Sequence, residues 1–255
     1  LEAAQAALAE LRRVEGVLSR FDDGSALSEL NRRAGRGWCD AGPELPQVLA
    51  KALRFRSATG GAFDIAVEPL MRAWGFREPR KAAPGERELA EARAAVAAAT
   101  IAVAGAHIRL PARHTRLDLG GIGVGYGLDR AVAVLRRHGV ERALLEVSGD
   151  LLALGAPPGD DGWLVEIADP RRPGSILAST TIRDAALATS GQSAATVELS
   201  GRSHGHVMDP ATGRPATRLL QATVTARTAL AADALSTATL VSPADYPGVW
   251  RRWTT

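Results

Sequence analysis

Leu1, Ala4, Leu8, Leu11, Val14 and Leu18 recur at helical spacing, so the chain opens on an amphipathic helix. Phe21-Asp22-Asp23-Gly24 ends it, and Ser25 caps a short helix running through Leu30. A longer helix is predicted from Glu44 to Ala58, closed by Gly60-Gly61. Pro84 and Glu86 then start an alanine-rich helix ending near Ala98. From Ile101 the period shortens to that of strands. Ile101–Val103 and Ile108–Leu110 read as a hairpin, and Arg116–Leu119 as a further strand. A glycine-rich stretch leads into a helix from about Tyr126 to His138, stopped by Gly139. Short strands are predicted at Leu144–Val147, Leu164–Ile167, Leu177–Ile182, Val197–Leu199 and Ala222–Ala226, and a last helix from Leu230 to about Leu240. Trp250–Thr255 reads as less strand-like. Helices gather early and strands later, so the class is α+β rather than a regular βαβ alternation.

Composition changes this picture little. With 255 residues the chain can bury a sizeable core as one large domain or two interleaved lobes. The net charge is +3, and the basic residues fall singly or in pairs along the sequence, as at Arg12-Arg13, Arg32-Arg33 and Arg171-Arg172. That pattern reads as a solvated surface and argues against nucleic acid as a partner. The one cysteine, Cys39, excludes an internal disulfide and a cysteine-built metal site. No apolar run approaches the ~20 residues a membrane span needs. The compartment stays open.

Four segments carry candidate chemistry, each with two readings. In Leu117–Asp129, strand, glycines and helix follow one another, as a phosphate-binding turn requires; the same glycines also suit tight strand–helix packing. Tyr126 interrupts the dinucleotide fingerprint, and no Gly-Lys-Ser/Thr follows for a P-loop. Asp233 and Thr237, four apart on a helix, share a face. Their oxygens suit Mg²⁺, or they satisfy a helix end. His206-Val207-Met208-Asp209-Pro210-Ala211-Thr212-Gly213 is a turn signal whose histidine is either incidental or a base near neutral pH. Gly60-Gly61-Ala62-Phe63-Asp64, leading to Trp74-Gly75-Phe76, either holds a heteroaromatic ring or packs a core.

Taken together and in order, these segments resemble the FAD:protein FMN transferase (ApbE-like) family. The resemblance rests on Ser19 and Phe21, Ser25 to Asn31, Gly60 to Asp64 with Trp74-Gly75-Phe76, Asp118 to Asp129, Thr189-Ser190-Gly191, His206 to Gly213, and Ala232 to Thr237. It implies an α+β, tunnelling-fold-like architecture over residues 1–255, one domain of two interleaved lobes, with FAD in a cleft between the early helical part and the later sheet. It also implies an enzyme that moves FMN from FAD onto a threonine of an acceptor protein, releasing AMP, with Mg²⁺ as cofactor. By that resemblance Phe21, Ala62, Phe63, Asp64, Asp118, Val124 and Val207 contact FAD. The Gly121 carbonyl, Asp233 and Thr237 hold the metal, and His206 and Asp209 serve catalysis. A flavin carrier without transfer and an FAD pyrophosphatase giving FMN and AMP are the alternatives.

Two positions depart from the family pattern. Val124 stands where many members carry lysine, and Ser148 replaces a glycine in the Glu146–Asp150 turn. The second substitution predicts an unusual local backbone.

Overall fold

The computed structural model describes residues 1–255. In α1 (Glu2–Leu18) the predicted face turns Ala7, Val14 and Leu18 inward. α2 (Ala26–Arg32) is capped by Ser25, whose hydroxyl accepts from the Ser28 N–H at 3.0 Å. After β1 (Cys39–Asp40), α3 (Glu44–Ala58) buries Leu45, Val48, Leu49 and Ala52, and is followed by Gly60 and Gly61 at φ of 60° and 86°. The helical part closes with α4 (Glu68–Ala73) and α5 (Glu86–Ala97). Next come β2 (Ala102–Ala104), β3 (His107–Arg109) and α6 (Gly123–Arg137). Strands β4 (Ala143–Val147), β5 (Asp150–Leu154), β6 (Trp163–Ala168), β7 (Ile176–Ile182) and β8 (Ala186–Gly191) follow. After them run β9 (Thr196–Leu199), β10 (Arg202–Gly205), β11 (Met208–Asp209), β12 (Arg214–Pro215) and β13 (Gln221–Ala226). α7 (Ala229–Val241) and β14 (Arg251–Thr254) complete an α+β fold. No helix is long and apolar enough to cross a membrane.

The chain forms two compact units. The first comprises residues 1–14, 121–190 and 219–255. Its five-stranded sheet has the order β14-β13-β8-β5-β4. Alternation along β5 explains how both sheet faces are used. Leu152 and Leu154 join Leu128, Val132 and Leu135 of α6 in one core, whereas Ala153 packs with Val165, Ile167 and Ile182 of the β6–β7 hairpin. Each fully buried Leu, Ile or Val contributes roughly 1.5–3 kcal/mol from the apolar surface it removes from water. The second unit comprises residues 15–120 and 191–218. Here Leu70, Met71 and Trp74 of α4 pack with Leu89 and Val96 of α5 and with Leu199 and Met208. A three-stranded sheet, β1-β3-β2, and the hairpins β9–β10 and β11–β12 belong to the same unit.

Within the first unit, α6 and α7 cap each other. The Asp129 carboxylate on α6 accepts the Ala229 and Leu230 N–H groups at 2.9 and 3.2 Å, the unpaired amides that open α7. In return Asp233 Oδ2 on α7 accepts the Gly125 N–H at 3.0 Å, in the first turn of α6. The crossing is so close that a Cβ on Gly125 would stand 2.2 Å from the Ala229 carbonyl oxygen and 2.7 Å from the Leu230 nitrogen. Those neighbours are main chain and cannot rotate away. Gly125→Ala is therefore expected to lower stability by about 3 kcal/mol, the upper end of overpacking effects, as a drop in the urea midpoint at unchanged slope.

Ser148 confirms the unusual turn. With Gly149 it forms a two-residue connection between Val147 and Asp150, which pair across β4 and β5. Both turn residues have positive φ, 55° and 91°. Right-handed strand twist favours that hairpin geometry, and Asn-Gly fits it best. A serine pays for it in steric strain of roughly 1 kcal/mol. Ser148→Asn is expected to raise the thermal midpoint by about 1–3 °C, read by calorimetry.

Three readings of the sequence need correction. Arg116–Leu119 is not a strand. It is an extended segment held by the Asn31 side chain, which bonds both polar groups of the Leu117 main chain at 2.8 and 2.9 Å, and by the Asp118 N–H to the Ile65 carbonyl at 2.8 Å. The pattern shows an extended backbone there but not its partners. α6 starts at Gly123, three residues before the predicted Tyr126, because the carboxylate satisfying its first turn comes from α7. The C-terminal stretch does form a strand, β14, paired antiparallel to β13 with Thr223 opposite Trp253.

Candidate functional site

In the first unit an oxygen-rich cluster gathers where α6 begins. Asp233 is buried among Ala232, Ala234 and Leu235, and Ser236 Oγ donates to its main-chain carbonyl at 2.9 Å. Ser190, at the end of β8, brings its hydroxyl to 2.8 Å from Ser236 Oγ and 3.1 Å from Thr237 Oγ1. Asp150, first residue of β5, accepts the Thr189 N–H at 3.2 Å. No Arg, Lys or His side chain pairs with Asp150 or Asp233. Burial and the neighbouring Asp150 carboxylate hold the Asp233 carboxyl well above its ordinary range. Burial likewise pushes Asp150 up to about 7. Two neighbouring buried carboxylates without a cation are costly, and a divalent cation would relieve both burial and repulsion.

The donor types suit a hard divalent cation. No group of three or more His, Cys, Asp or Glu side chains is placed to hold a metal ion by itself. Carboxylate, hydroxyl and main-chain carbonyl oxygens are what Mg²⁺ takes, since it keeps waters or substrate phosphate as its other ligands. Gly121 lies two residues before α6, half-buried. The structure thus brings Asp233 and Thr237 together as the sequence suggests. It adds Ser236 on the same helix, and Asp150 and Ser190, which helical spacing could not reveal because they come from β5 and β8.

The second unit holds most of the other candidates. The Asp118 carboxylate receives Arg20 Nε at 3.0 Å, Arg77 Nη2 at 2.7 Å and the Gly120 N–H at 2.8 Å. Arg77 is itself buried and also binds Glu68 at 2.6 Å. Because Glu68 is buried, its carboxyl is raised even with Arg77 and Arg72 beside it. His206 shares the field of Asp118 and Arg77, and burial lowers its pKa, so the ring is neutral at physiological pH. Its Nδ1 is buried and has no partner.

Asp209 uses its carboxylate inside its own turn. Oδ1 accepts the Ala211 and Thr212 N–H groups at 2.8 and 3.4 Å, and Oδ2 accepts the Thr212 hydroxyl at 3.0 Å. This is the backbone mimicry expected of Asp in a turn, here between β11 and β12. Trp74 ties that turn to α4 through an Nε1 bond to the Gly213 carbonyl at 2.8 Å. Buried Val207 accepts the Ala216 N–H at 2.9 Å, which steadies the residue next to His206.

Of the remaining candidates, Phe21 is 82% exposed, with the Arg20 guanidinium 3.9 Å from its ring centroid. Phe63 is buried edge-on to Phe55 at 6.4 Å, and Ala62 is half-buried. Asp64 pairs with Arg56 at 2.8 Å and accepts the Ala66 N–H at 2.9 Å; burial dominates and raises its carboxyl. Val124 packs against the core of the first unit. Arg20, Arg77 and Glu68 were missed by sequence reasoning: isolated charges at unrelated spacings give no periodic signal.

Residues 1–250 match the model of the ApbE family. The FAD:protein FMN transferase of Treponema pallidum is 34% identical over 248 residues, 91% of this chain and 68% of that protein. That of Salmonella typhimurium is 30% identical over 233 residues, 88% and 67% of the two chains. Among solved structures, the ApbE protein of Thermotoga maritima superposes with a TM-score of 0.86 at 29% identity, covering 94% of this chain and 78% of that one.

Proposed function

The chain belongs to the ApbE family, and from that premise we propose that it transfers FMN from FAD to a threonine of an acceptor protein and releases AMP, with Mg²⁺ as cofactor and residues 1–255 acting as one domain. The observation carrying this reading is the buried Asp233–Asp150 pair, which has hydroxyls around it and no cationic side chain to neutralise it.

In this mechanism the acceptor hydroxyl oxygen forms a bond to the FMN-side phosphorus of FAD. The phosphorus–oxygen bond towards AMP breaks, and AMP leaves with the bridging oxygen. The hydroxyl proton passes to His206, which burial keeps neutral and ready to accept it. Asp209 acts by shaping the turn after His206. Asp233, Thr237 and the Gly121 carbonyl would hold Mg²⁺, with Asp150 and Ser190 supporting them. When bound, Mg²⁺ supplies charge neutralisation for a pyrophosphate. Phe21 offers an exposed ring for flavin stacking. Ala62, Phe63, Asp64, Asp118, Val124 and Val207 complete the FAD contacts.

One observation favours a second reading, an FAD carrier without transfer. Val124 is committed to apolar packing and supplies no charge where many family members carry lysine. Incubation with FAD and Mg²⁺, followed by chromatography for AMP, separates the two. Acceptor-dependent AMP supports transfer, whereas intact bound FAD supports the carrier.

A further inference from the structure

The arginines that look scattered along the sequence are partly gathered by the fold. In the second unit the loop after α2 lies against the segment after β3. The Gly35 N–H donates to the Leu110 carbonyl at 2.8 Å, and Gly35 sits so close to Arg113 that a Cβ would meet its Cγ at 2.3 Å. Cys39 pairs with Ile108 and Asp40 with His107. Trp38, the residue just before β1, and Arg109 of β3 are exposed, while Cys39 and Ile108 are buried. The Arg109 guanidinium lies 5.1 Å from the centre of the Trp38 ring.

Arg33, Arg36, Arg109 and Arg113 are all exposed, and none pairs with a carboxylate. The neighbouring acids are Asp40 and Glu29, the latter paired with Arg32, so these four arginines leave the region net positive. The segment bearing Arg113 runs directly into Asp118, and Asn31 at the end of α2 binds the Leu117 main chain between them.

We propose that this Trp38–arginine face is a docking surface for an acidic patch on the acceptor protein, a proposal that rests on the transferase reading. Charge complementarity requires an anionic partner, and the face itself selects among anionic classes. One side of the Trp38 ring is covered by Arg109, and the residue is only 42% exposed. It is therefore neither an open stacking platform for a nucleic-acid base nor a wedge for lipid. A tryptophan and arginine in contact, the arginine on β3 and the tryptophan just before its partner strand β1, have the composition of a protein-interface anchor. An enzyme with a protein as second substrate needs such a surface, and charges there act mainly on encounter and on KM for that substrate.

The test uses a fluorescein-labelled peptide with one threonine between two blocks of four glutamates, and its glutamine counterpart. Anisotropy reads binding without turnover. The acidic peptide is expected to bind, the glutamine peptide at least about tenfold more weakly. The difference should vanish in 0.5 M salt, where the screening length falls to about 4 Å. The Arg36→Glu/Arg109→Glu variant should lose it too, while the neutral Arg36→Gln/Arg109→Gln variant loses part. FAD affinity and the thermal midpoint should be unchanged in both variants. Equal binding of the two peptides, or binding of phosphatidylglycerol vesicles or a single-stranded oligonucleotide that the variant abolishes while peptide binding survives, would overturn the proposal. Mass spectrometry of the same peptide reads FMN transfer separately. Binding without transfer leaves the surface standing and removes the transferase reading; transfer indifferent to the acidic blocks does the reverse.

Discussion

Replacing Asp233 by asparagine is expected to remove flavin transfer while making the metal-free protein more stable at pH 8. The two effects have one cause. Asp233 is buried within the electrostatic reach of Asp150 without a cation, and both carboxyls are raised, Asp150 to about 7. A raised carboxyl means that the folded state keeps its proton to higher pH than the unfolded chain does. The corresponding stability is fully present below about pH 4 and is lost as pH rises towards and past 7. Asparagine cannot ionise, so the decline with pH should flatten in the variant. Each kcal/mol recovered at pH 8 appears as a rise of about 2–4 °C in Tm. Added Mg²⁺ should raise the Tm of the parent chain and leave the variant unmoved. Charge neutralisation by a metal is worth several kcal/mol in the transition state, so transfer should fall by roughly a thousandfold. A purely structural Asp233 would instead lose stability on substitution.

The second large effect is on His206. His206→Asn is expected to lower kcat by about 10²–10⁴-fold, the range for loss of a positioned base, with FAD affinity changed little. In the parent chain the acid limb of kcat against pH should lie below 6.5, because burial disfavours the charged ring. Activity present above that limb is lost as pH falls through it, and the variant should show no such limb. A limb at the same pH in both proteins would assign the base to another group.

The helices were legible because each carries its signals locally. Ser25, Gly60-Gly61 and Pro84 marked ends that the structure places within a residue or two. α4 was not predicted, since six residues give too little period to read. Nor were β5 and β8: their apolar runs are buried on both faces and do not alternate clearly. The site divides the same way. Asp233 and Thr237 share one helix and so could be paired by spacing. Asp150 and Ser190 reach them through sheet order, and Arg77 reaches Asp118 across 41 positions. Only the folded chain reveals such partners. Family resemblance located the segments; tertiary contacts supplied the electrostatics within each unit.

The most direct test is to incubate the purified chain with FAD, Mg²⁺ and a threonine-bearing acceptor protein, following AMP by chromatography and the acceptor by intact mass. AMP and FMN-modified acceptor are expected in equal amounts, both absent without Mg²⁺ and in Asp233→Asn. AMP formed at the same rate without acceptor, or FAD that stays bound and whole, would contradict that expectation.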